Sequence, residues 1–392
     1  MKQKTFNIGF IKQKQKKEDN WENINSNFLV KDSIYNNSYI YDNDMYFSYT
    51  NYENLGLYYK NLITGEETKI YDDGYSWDYF ADSKGNVYAY NAYGSGEVVS
   101  IFLKLNYNNT PIVFNYNVRT FYEDSKGNIY ISSNSNSLAL LKNDNIEIIY
   151  NVSNTFPYFY ETKSGIIYAI SPNRILYIKD KYVEEIYFSE ISGDWKYFFE
   201  DTKGNVYASG GTGILCLNEK NVANIYEIGT QWQYFFEDSK GNVYVSSNSN
   251  SSVGILYLNG SNEVELIYEI GYCWRYFFED SKGNVYASSS WQSNGLLYIT
   301  DKEVKNIIEK FAMTNKYFES SKNNVYVLSN AAIYGIYHLN GDLVTQIVQS
   351  IFNNISEKDD STVIVYNDNI PVSGSEYYIL DGVNISNKMI II

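Results

Sequence analysis

Few residues in this chain of 392 are equipped for catalysis. There is one histidine, His338, in "GIYHLN", and two cysteines, Cys216 and Cys273. A Ser–His–Asp arrangement would have to use His338, and no "GxSxG" elbow accompanies it. A strand histidine without a visible partner is expected to be structural. One histidine and two cysteines are too few for a His/Cys metal cluster, and they make no disulfide framework. No phosphate-binding or dinucleotide fingerprint occurs, so no cofactor is expected. Carboxylates are plentiful, with 46 Asp and Glu. A hydrolase or lyase using them, with or without a metal, is the enzymatic alternative. None stands out, because Glu200, Glu237 and Glu279 recur in step with the sequence around them.

The aromatic residues are more suggestive. Trp77, Trp195, Trp232 and Trp274 each close a short connecting stretch, "GYSW", "SGDW", "GTQW" and "GYCW". Trp291 lies in a stretch rich in Ser, Asn and Gly. Two destinations compete: wedges packed in a core, or a binding face. Aromatic planes beside amides and hydroxyls suit sugars, peptides or other neutral ligands. The reading adopted is a non-catalytic binding surface, with a purely protein–protein scaffold as the alternative.

The elements that would position these residues announce themselves by repetition. "YFFEDSKGNVY" occurs at 234–244 and again at 276–286, and "YFFEDTKGNVY" stands at 197–207. Aligning on the Asp gives Asp82, Asp124, Thr162, Asp201, Asp238, Asp280 and Ser320, spaced 37–42 residues apart. Weaker copies at Asp42 and Asp368 bring the count to nine. Each unit reads as four short strands joined by turns. The Asp accepts hydrogen bonds from the backbone just ahead, and the glycines of the same turns, Gly85, Gly127, Gly204, Gly241 and Gly283, supply positive φ. These are turn residues, too poor in oxygen ligands for a calcium loop.

Four-stranded units of about 40 residues predict an all-β β-propeller. Apolar side chains on both sides of the "WQYFFED" strand agree, since a blade is packed on both faces. Nine blades are expected. Eight is the alternative if the terminal units share one blade, with "NFLVKD" at 27–32 completing it. Residues 1–26 read as a basic leader and 27–392 as a single propeller domain. Departures from the repeat at 91–98, 288–295 and 340–361 are where a site would be sought.

"FFEDSKGNVYVSS…GILYLN" resembles the repeat of two-component-regulator propellers, whose pattern runs acid–Asp–x–x–Gly–Asn–apolar–aromatic before a Gly-led strand. The resemblance covers residues from about 38 onward. It implies the fold and little about activity. The chain departs from that pattern by carrying Tyr88, Tyr207, Tyr244 and Tyr286 where that family usually has Trp.

A net charge of -15 and a pI near 4.6 disfavour nucleic acid and anionic membranes as partners. The lysines at 2, 4, 12, 14, 16 and 17 form the one basic stretch. No run is long enough to span a membrane and no secretory signal is visible. A cytoplasmic monomer is the default expectation, with secretion the alternative were a signal to precede this sequence.

Overall fold

The computed structural model describes residues 35–390 apart from 42–43, 50–55, 73–76, 92–100, 106–110, 115, 134–136, 152–154, 191, 229–230, 250–253, 260–262, 272, 290–294, 310–315, 330–334, 350–353, 358–362, 367–375 and 382–383. The basic leader, "NFLVKD" and Asp42 lie outside the described residues. All 36 strands fall in nine four-stranded antiparallel sheets, each a meander of consecutive strands, and no helix occurs among the described residues. These are the blades of a β-propeller: blade 1 spans 35–71, blade 2 77–114, blade 3 118–151, blade 4 158–188, blade 5 197–226, blade 6 232–268, blade 7 274–308, blade 8 316–348 and blade 9 354–390. The chain forms two compact units that divide at residue 190, with blades 1–4 in one and blades 5–9 in the other.

Blade 6 illustrates why the sequence folds this way. Its strands are Trp232–Glu237, Val243–Ser247, Ile255–Leu258 and Val264–Tyr268. Every residue of Val243–Ser247 is buried, whereas the fourth strand has only exposed and half-buried positions. A second strand covered on both faces needs apolar or small residues throughout, which "VYVSS" supplies. The two phenylalanines of "YFFED" point to opposite faces and each meets a neighbouring blade. Phe235 stacks on Phe199 of blade 5 at 5.5 Å and 5°, and Phe236 stacks on Phe277 of blade 7 at 5.5 Å and 9°. The same pairing joins Phe278 to Tyr317, Phe80 to Phe121 and Tyr122 to Phe159. Offset stacking of this kind adds to the area buried.

The turn between the first two strands is built around a buried carboxylate. Asp238 Oδ1 accepts from the backbone N–H of Lys240 (3.0 Å) and Asn242 (2.8 Å), and its Oδ2 accepts from Asn242 Nδ2 (2.8 Å). Asp82, Asp124, Asp201 and Asp280 repeat these bonds. The turn glycines hold φ between +78° and +86°, and Asn323 takes their place in blade 8 at +59°. Asn is the side chain that best tolerates that region. Thr162 and Ser320 replace the carboxylate with a hydroxyl that accepts a single backbone bond, from Ile166 and Asn324.

The recurrent Glu preceding this Asp has a role of its own. Glu237 receives the N–H and Oγ1–H of Thr202, on the blade 5 turn, at 2.9 and 2.6 Å. Glu279 does the same to Ser239, Glu319 to Ser281, Glu357 to Ser321 and Glu161 to Ser125, while Glu123 takes the Ser83 N–H. Blades 3, 4 and 6–9 thus each grip the turn of the one before.

That grip corrects the phase of the last repeat. Glu357 ends the strand Asn354–Glu357, and the following strands are Val363–Tyr366, Glu376–Asp381 and Asn384–Ile390. The first strand of blade 9 therefore ends at Glu357, well before Asp368, and lies within the 340–361 stretch. The sequence "EKDDST" lacks the Asp–x–x–Gly–Asn spacing, so only the Glu marks the repeat. The terminal sheets are separate, which gives nine blades.

Replacing Asp280 by Ala strands two backbone N–H groups and an amide, and is expected to lower unfolding free energy by about 2–3 kcal/mol. Glu279→Ala acts at exposed Ser239 and is expected to cost about 1 kcal/mol. Urea midpoints compare the two, and equal effects would refute the greater weight given to the buried turn.

Candidate functional site

Where one blade hands over to the next, the backbone is forced into an unfavourable region. Asp194, Gln231 and Cys273, each immediately before a tryptophan, have φ of 45°, 59° and 59°. Left-handed backbone costs a non-glycine residue on the order of 1 kcal/mol. Here it aims the N–H groups at the preceding blade: Gln231 N–H donates to Gly210 O at 3.2 Å, and Cys273 N–H donates to Ser247 O at 2.8 Å. Asn248 N–H in turn donates to Gln231 O at 3.0 Å. The handover and the loop between strands two and three are therefore stapled together along blades 5–7.

Trp77, Trp195, Trp232 and Trp274 are buried where their blades begin, none exposing more than 2%. Trp232 meets Tyr226 edge-on at 5.7 Å, Trp274 meets Tyr268 at 5.6 Å and Trp77 meets Tyr71 at 5.9 Å, the tyrosine in each case ending the previous blade's fourth strand. The indole N–H of Trp232 donates to Ile228 O at 3.0 Å and that of Trp274 to Ile270 O at 3.2 Å. Phe156 and Val118 are likewise buried at the entries to blades 4 and 3. Rings this enclosed present no face to a ligand in this conformation, and Trp77, Trp232 and Trp274 act as wedges between blades. Trp291 lies outside the described residues, as do most of 91–98 and 288–295.

The exposed side chains come from a position that repetition had hidden. Trp232 and Trp274 pair with Ser247 and Ser289 across a bulge, leaving Gln233 and Arg275 as the extra residues. In blade 2 the pairing from Trp77 runs without a bulge, and Trp77 stands one residue closer to its turn Asp. A bulge re-aims one side chain without disturbing the core. The position after the buried entry residue varies between units (Arg119, Pro157, Lys196, Gln233, Arg275), and that variability is the sequence signal that would have found it.

Arg275 is exposed, with its guanidinium carbon 5.8 Å from the Tyr234 ring centre and 5.6 Å from that of Tyr276. The Tyr234 hydroxyl donates to Asn248 Oδ1 at 2.9 Å, and the Cys273 thiol reaches the same oxygen at 3.3 Å. Burial raises the Tyr234 pKa, opposed by Gln233 and Arg275, so the phenol stays protonated and keeps donating. Cys216 sits apart in the core, where burial pushes its thiol up to about 11.

His338 belongs to the scaffold. Its Nε2 lies 3.2 Å from Asn324 Oδ1 of its own blade's turn and its ring meets Tyr326 edge-on at 5.6 Å. Tyr257 and Tyr298 make the same bond to Asn242 and Asn284 from the same place in blades 6 and 7. Among the described residues no three His, Cys, Asp or Glu side chains group as metal ligands. Asp78, beside Trp77, has its carboxyl pushed up by burial.

No protein-family model matches the chain, and no curated protein matches it significantly. Among solved structures it is similar to the extracellular domain of a candidate hybrid two component system from B. thetaiotaomicron, at 12% identity and a TM-score of 0.29 over 90% of this chain and 60% of that one. It is also similar to a catalytically inactive virginiamycin B lyase from Staphylococcus aureus, at 11% identity and a TM-score of 0.29 over 74% and 90%. A third is PorZ of Porphyromonas gingivalis, at 12% and 0.28 over 93% and 55%. The chain spans about 60% of the length of the first. These likenesses concern the fold alone.

Trp274→Ala empties a fully enclosed site and is expected to cost about 3–5 kcal/mol, measured as a shift in urea midpoint. A shift below about 1 kcal/mol would refute the wedge role. His338 gives a pH test. Burial, and secondarily Lys282, holds its imidazole below the usual value, so protonation favours the unfolded chain. The associated stability is complete above about pH 6.5 and is lost as pH falls through the lower folded value. The Tm difference between His338→Tyr and the native chain is expected to be constant above about pH 7 and to grow in the variant's favour below about pH 6.5. A constant difference down to pH 5 would overturn this assignment.

Proposed function

We propose that this chain is a non-catalytic binding propeller that uses the handover face of blades 5–7 to hold a polar, sugar- or peptide-like ligand. The observation that carries this reading is the knot at Asn248. Two donors converge on its oxygen, strained backbone at Gln231 and Cys273 anchors its surroundings, and the result is an exposed amide held in one orientation. Strained backbone anchored beside the buried Trp232 and Trp274 holds this surface amide in a fixed geometry suited to use. Fixed donors beside aromatic rings give orientation and contact area together. The tryptophans serve by setting the blades at their spacing.

A second reading, a scaffold for another protein, is favoured by Ile228 and Ile270. They occupy equivalent positions in adjacent blades and are 69% and 67% exposed, although their carbonyls are tied to the tryptophans. Exposed aliphatic residues at such positions suit a protein partner.

Glycan and peptide arrays probed with the native chain, Asn248→Ala and Ile228→Ser/Ile270→Ser separate the readings. Capture of a saccharide or peptide is expected, with at least about a tenfold loss of signal in Asn248→Ala and none in the isoleucine variant. Loss only in the isoleucine variant would favour the scaffold. No capture on either array would refute the ligand-binding proposal.

A further inference from the structure

We infer that the ligand of this face is an acidic saccharide whose carboxylate is received by Arg275 and Asn248, an inference that rests on the binding role proposed above. The chain contains only three arginines, Arg119, Arg174 and Arg275, against 46 acidic residues. Arg174 is ion-paired with Glu185. Arg275 and Arg119 both stand at the bulge-side position of a first strand, both are exposed, and neither has a carboxylate partner among the described residues. In a chain of net charge -15, ordinary surface cations find acids readily: Lys104, Lys126, Lys181, Lys240, Lys302 and Lys305 all do. An arginine kept clear of them retains its charge for something else.

The local chemistry supports an oxyanion. The faces of Tyr234 and Tyr276 hold the exposed guanidinium of Arg275 by cation–π attraction, and its planar N–H fork matches a carboxylate bidentately. Tyr234 links this fork to Asn248. Because the Tyr234 hydroxyl and the Cys273 thiol both donate to Asn248 Oδ1, the amide is oriented with its NH₂ outward, and no acceptor engages that NH₂ among the described residues. The Arg275 fork and the Asn248 NH₂ are donor-only groups, a pair that rewards an anion and penalises a cation. Its exposed or half-buried neighbours, Gln231, Gln233 and Ser249, are polar. Hydroxyl-bearing sugar rings can use such groups, whereas the apolar side chains of a peptide cannot. A uronate joins both requirements in one residue.

Calorimetric titration of the native chain with trigalacturonate, its fully methyl-esterified form and hexaglutamate tests the inference. Trigalacturonate is expected to bind, and at least about tenfold more tightly than the ester, which keeps the rings and loses the charge. Arg275→Gln and Asn248→Asp are each expected to weaken it about tenfold or more, and Arg275→Lys to retain part of the affinity. Asn248→Asp keeps the oxygen that Tyr234 and Cys273 use, so an unchanged Tm is expected to accompany its loss of binding. Equal affinity for acid and ester, or indifference to both substitutions, would overturn the carboxylate assignment while leaving a binding role standing. Binding of hexaglutamate without trigalacturonate would overturn the saccharide assignment. Failure of these probes together with empty glycan and peptide arrays would sink the binding role itself.

Discussion

A buried carboxylate at a hairpin turn is the interaction on which the rest of this structure depends. Asp238 and its four equivalents satisfy two backbone N–H groups and an asparagine amide apiece. Removed from water, each Asp finds in these donors a replacement for its hydration. The turn so defined sets the register of the first two strands, and a one-residue slip would exchange their faces. Since "YFFED" uses both faces for stacking, no slip is tolerated. The turn also places Ser or Thr where the next blade's Glu can reach it. One local hydrogen-bonded turn thus governs hairpin, face and neighbour.

The two phenylalanines and the glutamate divide the work of joining blades. Stacking pairs such as Phe236–Phe277 and Phe278–Tyr317 contribute area and fix the lateral offset. The Glu–Ser clamps add direction at the edge, and because they are exposed each is worth little alone. Their value lies in repetition, since the same geometry recurs in both compact units. At the opposite end of the first strand, a wedge tryptophan and a left-handed residue finish the handover. That end bears a bulge and a variable side chain, whereas the turn end is committed to structure. A repeat that invests its identical residues in packing leaves only its irregular ones for recognition, which is why Arg275 and Asn248 matter more than the eleven residues that first catch the eye.

Sequence alone determined the repeat, the four-strand unit, the Asp–Gly turn and the opposite pointing of Phe235 and Phe236, because each depends on residues within a few positions of one another. Turn chemistry and strand alternation are local. What the tertiary structure decided is the destination of side chains whose partners lie 35–40 residues away. Glu237 and Glu279 recur visibly, yet only the assembled blades reveal that they grip the preceding turn. The same limit put the last repeat's turn at Asp368: without Asp–x–x–Gly–Asn the local signal vanished, and only Glu357 on Ser321 restored the phase. The tryptophans were legible as recurrent but not as enclosed, since burial is a property of the neighbouring blade's surface. His338 looked singular in the sequence and proves to be a tyrosine position differently filled. Arg275 went unnoticed because a bulge, which turns it outward, is a relation between two strands and is not written in either one.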